Sequence, residues 1–387
     1  MKSPLTASLL CLAGCPAFAD SGAPLEPVAS SNWVPSLTSS IDGAWGLSGT
    51  DGGDSLHGIV LGGLAWTQPT DGWRGLGWSA YASVLGVEGQ GPTARFLADD
   101  LGASNSEAHE SLRLFEWWAE ASKGSWALRV GALLADCEFA CTTPGAALIN
   151  SGFGWPAFIS ADTLNTGPAY YAAALGARLA LTGATSTWKL GVYDGDSFDS
   201  AAGDARPNRH GTHYELGGSQ GAFIIGEYTL APDASPWRYQ AGAWAHTANF
   251  ADLSGGPAHT GNYGGYGTLE RTLAGTPGEA GNTEAHLRLG FAPADRNAIN
   301  RSIDAAVSAQ GLLAGRPEDT VALGIVHAGR PDQLAGLDYE QVYELSYTAV
   351  INRRLSIQPD LQYIRHPASD PSRRDACLCL LRVTAGF

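Results

Sequence analysis

The sequence predicts an all-β protein, a closed antiparallel transmembrane β-barrel of about 16 strands with long loops. Three observations support this fold class. Strand-like segments alternate apolar and polar residues with a period of two. Glycine and aromatic residues are frequent, while charged residues are few. The chain also begins with a leader typical of exported proteins.

The first residues, MKSPLTASLLCLAGCPAFAD, have the three parts of a secretory signal peptide. Lys2 supplies the positive charge, Leu5–Leu12 form an apolar segment too short to span a bilayer, and A-F-A ends a cleavage site. We therefore predict a signal peptide over residues 1–19 and one domain over residues 20–387. The sequence L-A-G-C ending at Cys15 also resembles the lipobox of bacterial lipoproteins. Either cleavage would export the chain from the cytoplasm.

The composition narrows the class of protein. The net charge of −15 argues against nucleic acid as a partner, because proteins that bind nucleic acid present basic surfaces. The mean hydropathy of −0.07 is ordinary, although 50 residues are glycine, 12 are tryptophan and only 16% are charged. A barrel gives this balance because lipid-facing and lumen-facing residues alternate along each strand. A secreted all-β enzyme would give it too.

Strand-like segments with turn signals between them recur along the whole chain. They are residues 56–67, 76–87, 112–121, 126–134, 170–181, 187–193, 222–230, 237–247, 285–291, 303–313, 320–327, 339–351, 355–364 and 377–387, with weaker ones near residues 40, 214 and 266. The total is about sixteen, and short turns alternate with long connections as in transmembrane barrels.

Two segments near the C-terminus show the alternation most clearly. In QVYELSYTAV (341–350) and RRLSIQPDLQYI (353–364), apolar residues alternate with charged and polar ones. Such faces fit lipid outside and water inside, although a soluble sheet with one solvated face alternates in the same way. We expect Tyr343, Tyr347 and Tyr363 to lie on the lipid face or in an interfacial belt.

The last segment, CLCLLRVTAGF, alternates up to a terminal phenylalanine. Chain ends are poorly ordered unless they are tied down. We therefore expect this end to be held by another part of the molecule.

Four cysteines remain after the leader: Cys137, Cys141, Cys377 and Cys379. Export permits disulfides among them, and the sequence leaves all three pairings open. Their C-x-x-x-C and C-x-C spacings differ from those of zinc sites, so we predict no metal there.

No motif predicts catalysis. A match to G-x-S-x-G at residues 217–221 lacks the strand–turn–helix context of a nucleophile elbow and reads as a glycine-rich hairpin. His210 and His213 have no clear third metal ligand. Glu116 and Glu120 would stand about 13 Å apart along one strand, too far for a glycosidase pair. We predict no catalytic residue, no metal and no cofactor.

A family resemblance is carried by residues 113–178, which read RLFEWWAEASKGSWALRVGALLADCEFACTTPGAALINSGFGWPAFISADTLNTGPAYYAAALGAR. This segment resembles the carbohydrate-selective porin family of bacterial outer membranes, the OprB type, in its RVG, FGWP, SAD, GPAY and ALGAR motifs. The cysteines and the stretch before Leu56 depart from the family pattern. Further pieces agree in order: VYDGD (192–196), NRHGT (208–212), GAWAHTANF (242–250), GRPEDTVALGI (315–325) and QPDLQYIRHP (358–367).

The resemblance implies a closed barrel in the bacterial outer membrane that passes small-molecule sugars by facilitated diffusion. It also implies that Phe387 is recognised by the outer-membrane barrel assembly machinery and that the last strand joins the first. Closure would leave no unpaired strand edge in the outer-membrane lipid. The sequence leaves a homotrimer open.

The expected sugar-binding residues lie in the family-like segment. Sugars offer hydroxyls to arginine and carboxylate groups and C–H faces to aromatic rings. On that basis we expect Glu116, Trp118, Glu120, Arg129 and Arg178 to line the pore, with the first three on the face opposite Phe115 and Trp117. The alternative is a structural ladder of charges that pins an inward loop.

The connection from Leu134 to Pro168, folded around Trp155 and Pro156, is either the constriction loop or a packed turn. We expect Arg113 to sit at a rim and the negative charge to lie on outer loops and in the lumen. Two other functions stay open: a general diffusion porin of the same shape, and an exported β-rich saccharide hydrolase.

Overall fold

The structure, a computed structural model, describes residues 32–50, 52–68, 75–200 and 206–387. The described residues form sixteen strands in one closed barrel, in which each strand pairs with its neighbours in the chain and β1 pairs with β16. The strands are β1 Trp33–Ser48, β2 Asp54–Thr67, β3 Gly77–Gln90, β4 Ser111–Lys123, β5 Trp126–Leu133, β6 Ala174–Thr182, β7 Ser186–Asp194, β8 Ala222–Leu230, β9 Trp237–Phe250, β10 His259–Ala274, β11 Thr283–Phe291, β12 Arg301–Gln310, β13 Thr320–Gly329, β14 Tyr339–Asn352, β15 Leu355–Arg365 and β16 Ala376–Gly386. The predicted fold class is confirmed, whereas the predicted leader lies outside the described residues.

The two rims of the barrel differ. Turns such as residues 124–125 and 353–354 join strands at one rim, called here the turn rim. The other, the loop rim, carries the long connections L2 (91–110), L3 (134–173) and L4 (195–221). Outer-membrane barrels have this asymmetry, with the long loops outside the cell.

Helical segments are short and occur in the connections. They are α1 Ala157–Ser160, a π turn at Thr93–Leu97, and 3₁₀ turns at Gly145–Ala147, Ser151–Phe153, Leu164–Thr166 and Pro367–Ser369. In the part of the chain that the structure describes, no helix is long and apolar enough to cross a membrane.

The outer face of the barrel is apolar and exposed. Large side chains such as Leu112 and Phe291 are 66% and 58% exposed there. Tyr343 and Tyr363 also point outward, with ring centroids 6.2 Å apart, as expected from the alternation. An apolar outer face lowers the free energy of a barrel in lipid.

The terminal phenylalanine is held by the first strand. The Phe387 N–H donates to the Leu37 carbonyl at 2.8 Å, and the Phe387 carbonyl accepts from the Leu37 N–H at 3.0 Å. The Arg354 guanidinium lies 5.6 Å from the centre of the Phe387 ring. Deeper in the seam, Asp42 of β1 stands directly opposite Arg382 of β16. The expectation that this end is tied down is therefore confirmed.

Two strand predictions were wrong. The weak strand near residue 214 is a turn and coil region of L4, where Gly217 and Gly218 adopt positive φ values that a regular strand cannot continue. The strand expected from Tyr170 begins instead at Ala174, because a local turn that pairs Ala169 with Ala172 ends L3.

L2 and L3 fold into the barrel and pack against its inner wall. Leu148 and Phe153 of L3 join Leu97 and Leu101 of L2 in one buried cluster with β12–β16. L3 also carries Trp155, which is buried with strand residues of β7–β10 in a second cluster. The segment predicted as a constriction loop or packed turn is thus an inward loop with its own apolar contacts.

The four cysteines of the described residues lie in two separate places. Cys137 and Cys141 lie in L3 inside the barrel. Cys377 and Cys379 lie on the outer face of β16, where Cys379 pairs across the seam with Trp45.

Candidate functional site

A charged cluster forms where β4, β5 and β6 run side by side. Glu120, Arg129 and Arg178 are direct cross-strand neighbours on the luminal face. One oxygen of Glu120, Oε2, accepts from Arg129 Nε at 3.0 Å and from Arg178 Nη2 at 2.9 Å. Strand register alone brings these three residues together. They are 3–5% exposed and thus shielded from solvent.

L3 completes this cluster with Glu138. Its Oε1 lies 2.9 Å from Arg129 Nη1 and its Oε2 lies 2.5 Å from Arg178 Nε. Lys189 donates to the Glu138 carbonyl at 2.6 Å. Burial alone would raise the pKa of Glu138, but Arg129, Arg178 and Lys189 lower it below its usual value. The cluster therefore holds L3 against the wall, as the ladder alternative requires.

Trp118 and Glu116 complete the expected set but are only half-buried. The Trp118 ring lies 3.9 Å from the Arg129 guanidinium carbon, a cation–π contact, and 5.8 Å from the Tyr81 ring. Glu116 lies beside Arg129 and Glu138. The structure thus brings all five expected residues together, and of these Trp118 and Glu116 are half-buried while the other three are buried.

One detail of this face was predicted wrongly. Phe115 was expected opposite Glu116, yet both point toward the lumen. The register between β3 and β4 shifts between Ala82 and Val84, which is a β-bulge. Because the bulge adds a residue, the side-chain alternation changes phase there, and Phe115 packs with luminal Leu85.

Asp136 of L3 lies at the edge of the cluster. Burial raises its pKa to about 6, although the Tyr170 N–H, which donates at 2.8 Å, lowers it in part. The Asp136 carboxyl therefore keeps its proton to a higher pH than an exposed aspartate does.

Sequence reasoning missed a second anchor of L3, on the opposite wall. Arg288 of β11 is fully buried and uses all five of its N–H groups. Its Nε donates to Asp304, its direct neighbour on β12, at 2.8 Å. Nη1 and Nη2 donate to the L3 carbonyls of residues 140, 152, 153 and 154 at 2.5–3.1 Å.

Carboxylates on β14 hold the backbone of the same loops. Glu344 accepts from the N–H groups of Ile149 and Asn150 at 2.5 and 3.1 Å. Glu340 accepts from Asp100 and Leu101 of L2 in the same way, at 2.9 and 2.8 Å. The alternation marked Glu344 as luminal, but nothing in the sequence identified the loop partners of either glutamate.

A Ser–His–Asp arrangement at the seam does not form a catalytic triad. His57 Nε2 lies 2.9 Å from the Ser106 hydroxyl and 3.7 Å from Asp42 Oδ2. In a triad the hydroxyl and the carboxylate contact different ring nitrogens, whereas here both lie near the same one. Ser104 and Ser106 of L2 both donate to Asp42, at 2.6 and 2.7 Å. The network instead ties L2 to the seam.

The lumen between L3 and the turn rim is lined by hydroxyl and amide groups. Inward positions of the strands carry Thr38, Thr182, Thr187, Thr229, Gln240, Thr268, Thr320, Thr348, Ser356, Gln358 and Thr384. Among the residues that the structure describes, no group of three His, Cys, Asp or Glu side chains gathers as a metal site. This wall can exchange hydrogen bonds with a neutral polar solute.

The chain is similar to known porins in sequence pattern and in fold. The model of the carbohydrate-selective porin, OprB family, matches residues 72–387. The high-pH structure of Pseudomonas putida OprB superposes with a TM-score of 0.77 at 14% identity, covering 92% of this chain and 94% of that one. A mutant Rhodopseudomonas blastica porin gives a TM-score of 0.56 at 10% identity, covering 92% and 100%. No curated relative matches the chain.

Proposed function

Because this chain belongs to the carbohydrate-selective porin family, OprB family, it is an outer-membrane channel for carbohydrates, and we propose that sugars bind weakly beside Trp118 and Glu116 as they pass the constriction. The observation that carries this proposal is the difference in exposure within the charged cluster. Glu120, Arg129 and Arg178 are buried and their charged groups hold L3, whereas Trp118 and Glu116 beside them are only half-buried residues.

The chemistry of this pair suits a neutral sugar. An indole ring stacks on the C–H face of a pyranose, and a carboxylate accepts from its hydroxyls. Binding must stay weak so that the solute can leave. The threonine-rich wall toward the turn rim then offers hydroxyl groups that replace water one at a time. Both family and fold are those of channels, and we assign no catalytic step.

A Trp118→Leu variant tests the proposal. We expect the glucose concentration that half-blocks the ionic current to rise about fivefold to tenfold, since the loss of one aromatic contact costs about 1 kcal/mol. Trp188→Leu is the matched control, because Trp188 is on the outer face and 58% exposed. Equal half-blocking concentrations in wild type and Trp118→Leu would remove Trp118 from the sugar path.

The pH dependence of stability tests the account of L3. The pKa of Asp136 is 3.8 in an ordinary environment and about 6 in the fold. Its contribution to the unfolding free energy is at most about 3 kcal/mol. This contribution is fully present below about pH 4 and is lost as the pH rises through about 6. Heat-modified gel mobility between pH 4 and 8 should depend less on pH in Asp136→Asn than in wild type. Asp332→Asn, an exposed change on another loop, should leave the wild-type profile intact.

Three further proposals concern export and assembly. The leader over residues 1–19 is removed by signal peptidase, the assembly machinery recognises Phe387, and the barrel assembles as a homotrimer in outer-membrane lipid. The hydrogen bonds of Phe387 to Leu37 support the role of the last residue in seam closure. N-terminal sequencing of the mature protein and chemical cross-linking in membranes check the first and third.

A further inference from the structure

We infer that Arg113, at the loop rim, forms a binding subsite for the carboxylate of a sugar acid. Five other arginines on the luminal wall have a carboxylate partner in the structure: Arg129, Arg178, Arg238, Arg288 and Arg382. Arg113 is 3% exposed and has none among the residues that the structure describes. Its Nη2 donates to the Asn208 carbonyl at 3.3 Å, while its Nε has no acceptor.

Burying a guanidinium group without an anionic partner costs free energy. Burying a charge is favourable only when a partner of opposite charge or enough hydrogen bonds replace water. The remaining donors of Arg113 form the planar fork that binds carboxylates with two parallel hydrogen bonds. An anionic ligand would supply what the protein wall does not.

Aromatic side chains surround this arginine. The Arg113 guanidinium lies 5.9 Å from the Tyr171 ring centre. Tyr171 meets His109 and Phe198, each with ring centroids 5.5 Å apart. His109 is exposed and Tyr171 half-buried, so the aromatic group opens toward solvent. Rings beside a carboxylate receptor fit a ligand that carries both a sugar ring and an acid group.

The position places the subsite at the entry to the pore. Arg113 is two residues from the start of β4 at the loop rim. His109 belongs to L2, Tyr171 to L3 and Asn208 to L4, so three long loops converge on it. In a chain with a net charge of −15, one unpaired cation at the mouth would offset the repulsion that an acidic protein exerts on an anion.

Current block by glucose and by glucuronate in planar bilayers tests this inference, which rests on the proposed sugar passage. With solute added on the loop side, we expect glucuronate to half-block wild type at a concentration about tenfold lower than glucose, from one charge-assisted bidentate contact. In Arg113→Gln glucuronate should lose this advantage and half-block the current at about the same concentration as glucose. The half-blocking concentration of glucose itself should stay unchanged. Arg113→Lys should keep a partial advantage, because charge remains and the fork is lost.

Controls separate the possible failures. Arg301→Gln removes an exposed charge at the same rim, outside the lumen, and should behave as wild type. Heat-modified gel mobility identifies variants that fail to fold. If Arg113→Gln does not fold, the comparison of Arg113→Lys with wild type tests the inference. Glucose block without a glucuronate advantage in wild type, or an advantage that survives in Arg113→Gln, overturns the subsite alone. Open channels that no sugar blocks overturn the proposed function as well.

Discussion

An Arg288→Met variant is expected to release L3 from the wall and to raise the single-channel conductance severalfold. The substitution leaves Asp304 without its arginine and four L3 carbonyls without their donor. Breaking a buried ion pair from one side costs about 3–5 kcal/mol. This cost falls on the contact between L3 and β11, so L3 should move off this wall while the strand ladder, which does not use this side chain, persists.

Single-channel recording combined with gel mobility measures this effect. The control is Arg271→Met on β10, an exposed arginine that lies 4.8 Å from the Trp237 ring on the outer face. Glucose block should weaken in Arg288→Met together with the rise in conductance, because the constriction is gone. A folded Arg288→Met barrel with wild-type conductance would show that Arg288 does not hold the constriction.

An Arg382→Met variant is expected to weaken the seam between β1 and β16. Arg382 and Asp42 are direct cross-strand neighbours, joined by two hydrogen bonds of 2.8 Å, and Ser104 and Ser106 of L2 bind the same carboxylate. Without Arg382 a buried carboxylate loses its counter-charge, a change of about 3–5 kcal/mol. The barrel should then lose its heat-resistant mobility at a clearly lower temperature.

A double variant sharpens this second prediction. Asp42→Asn with Arg382→Met removes both charges and should recover part of the lost stability, since no uncompensated ion remains. A conservative change on the outer face of the same strand, Leu381→Val, should have a much smaller effect. Equal unfolding temperatures of wild type and Arg382→Met would contradict a role for this pair in holding the seam.

The strands could be predicted from the sequence because the alternation has a direct physical cause. Each strand has one lipid face and one luminal face, so residues such as Tyr343 and Glu344 fall on opposite sides whatever their partners are. The pairing of Glu120 with Arg129 also follows from register, since the two-residue turn between β4 and β5 fixes which residues face each other. Arg178 joins them because β6 pairs with β5 across the long loop L3.

The contacts of the inward loops could not be predicted in this way. Arg288 and Glu344 read as ordinary luminal charges, and their partners lie in L3, far away in the chain. The bulge beside Phe115 shifts the phase of alternation without a glycine or proline in β4 to mark it. Long-range packing, rather than local pattern, decides which charged residues hold a loop and which keep exposed surface in the lumen.

The most direct test of the central claim is the ionic current of the refolded wild-type protein in a planar bilayer while glucose and disaccharides are titrated. We expect open channels whose current falls saturably with glucose, because the lumen holds a weak sugar site. Open channels that no sugar blocks at any concentration would contradict a sugar site at Trp118 and Glu116 and would favour a general diffusion porin.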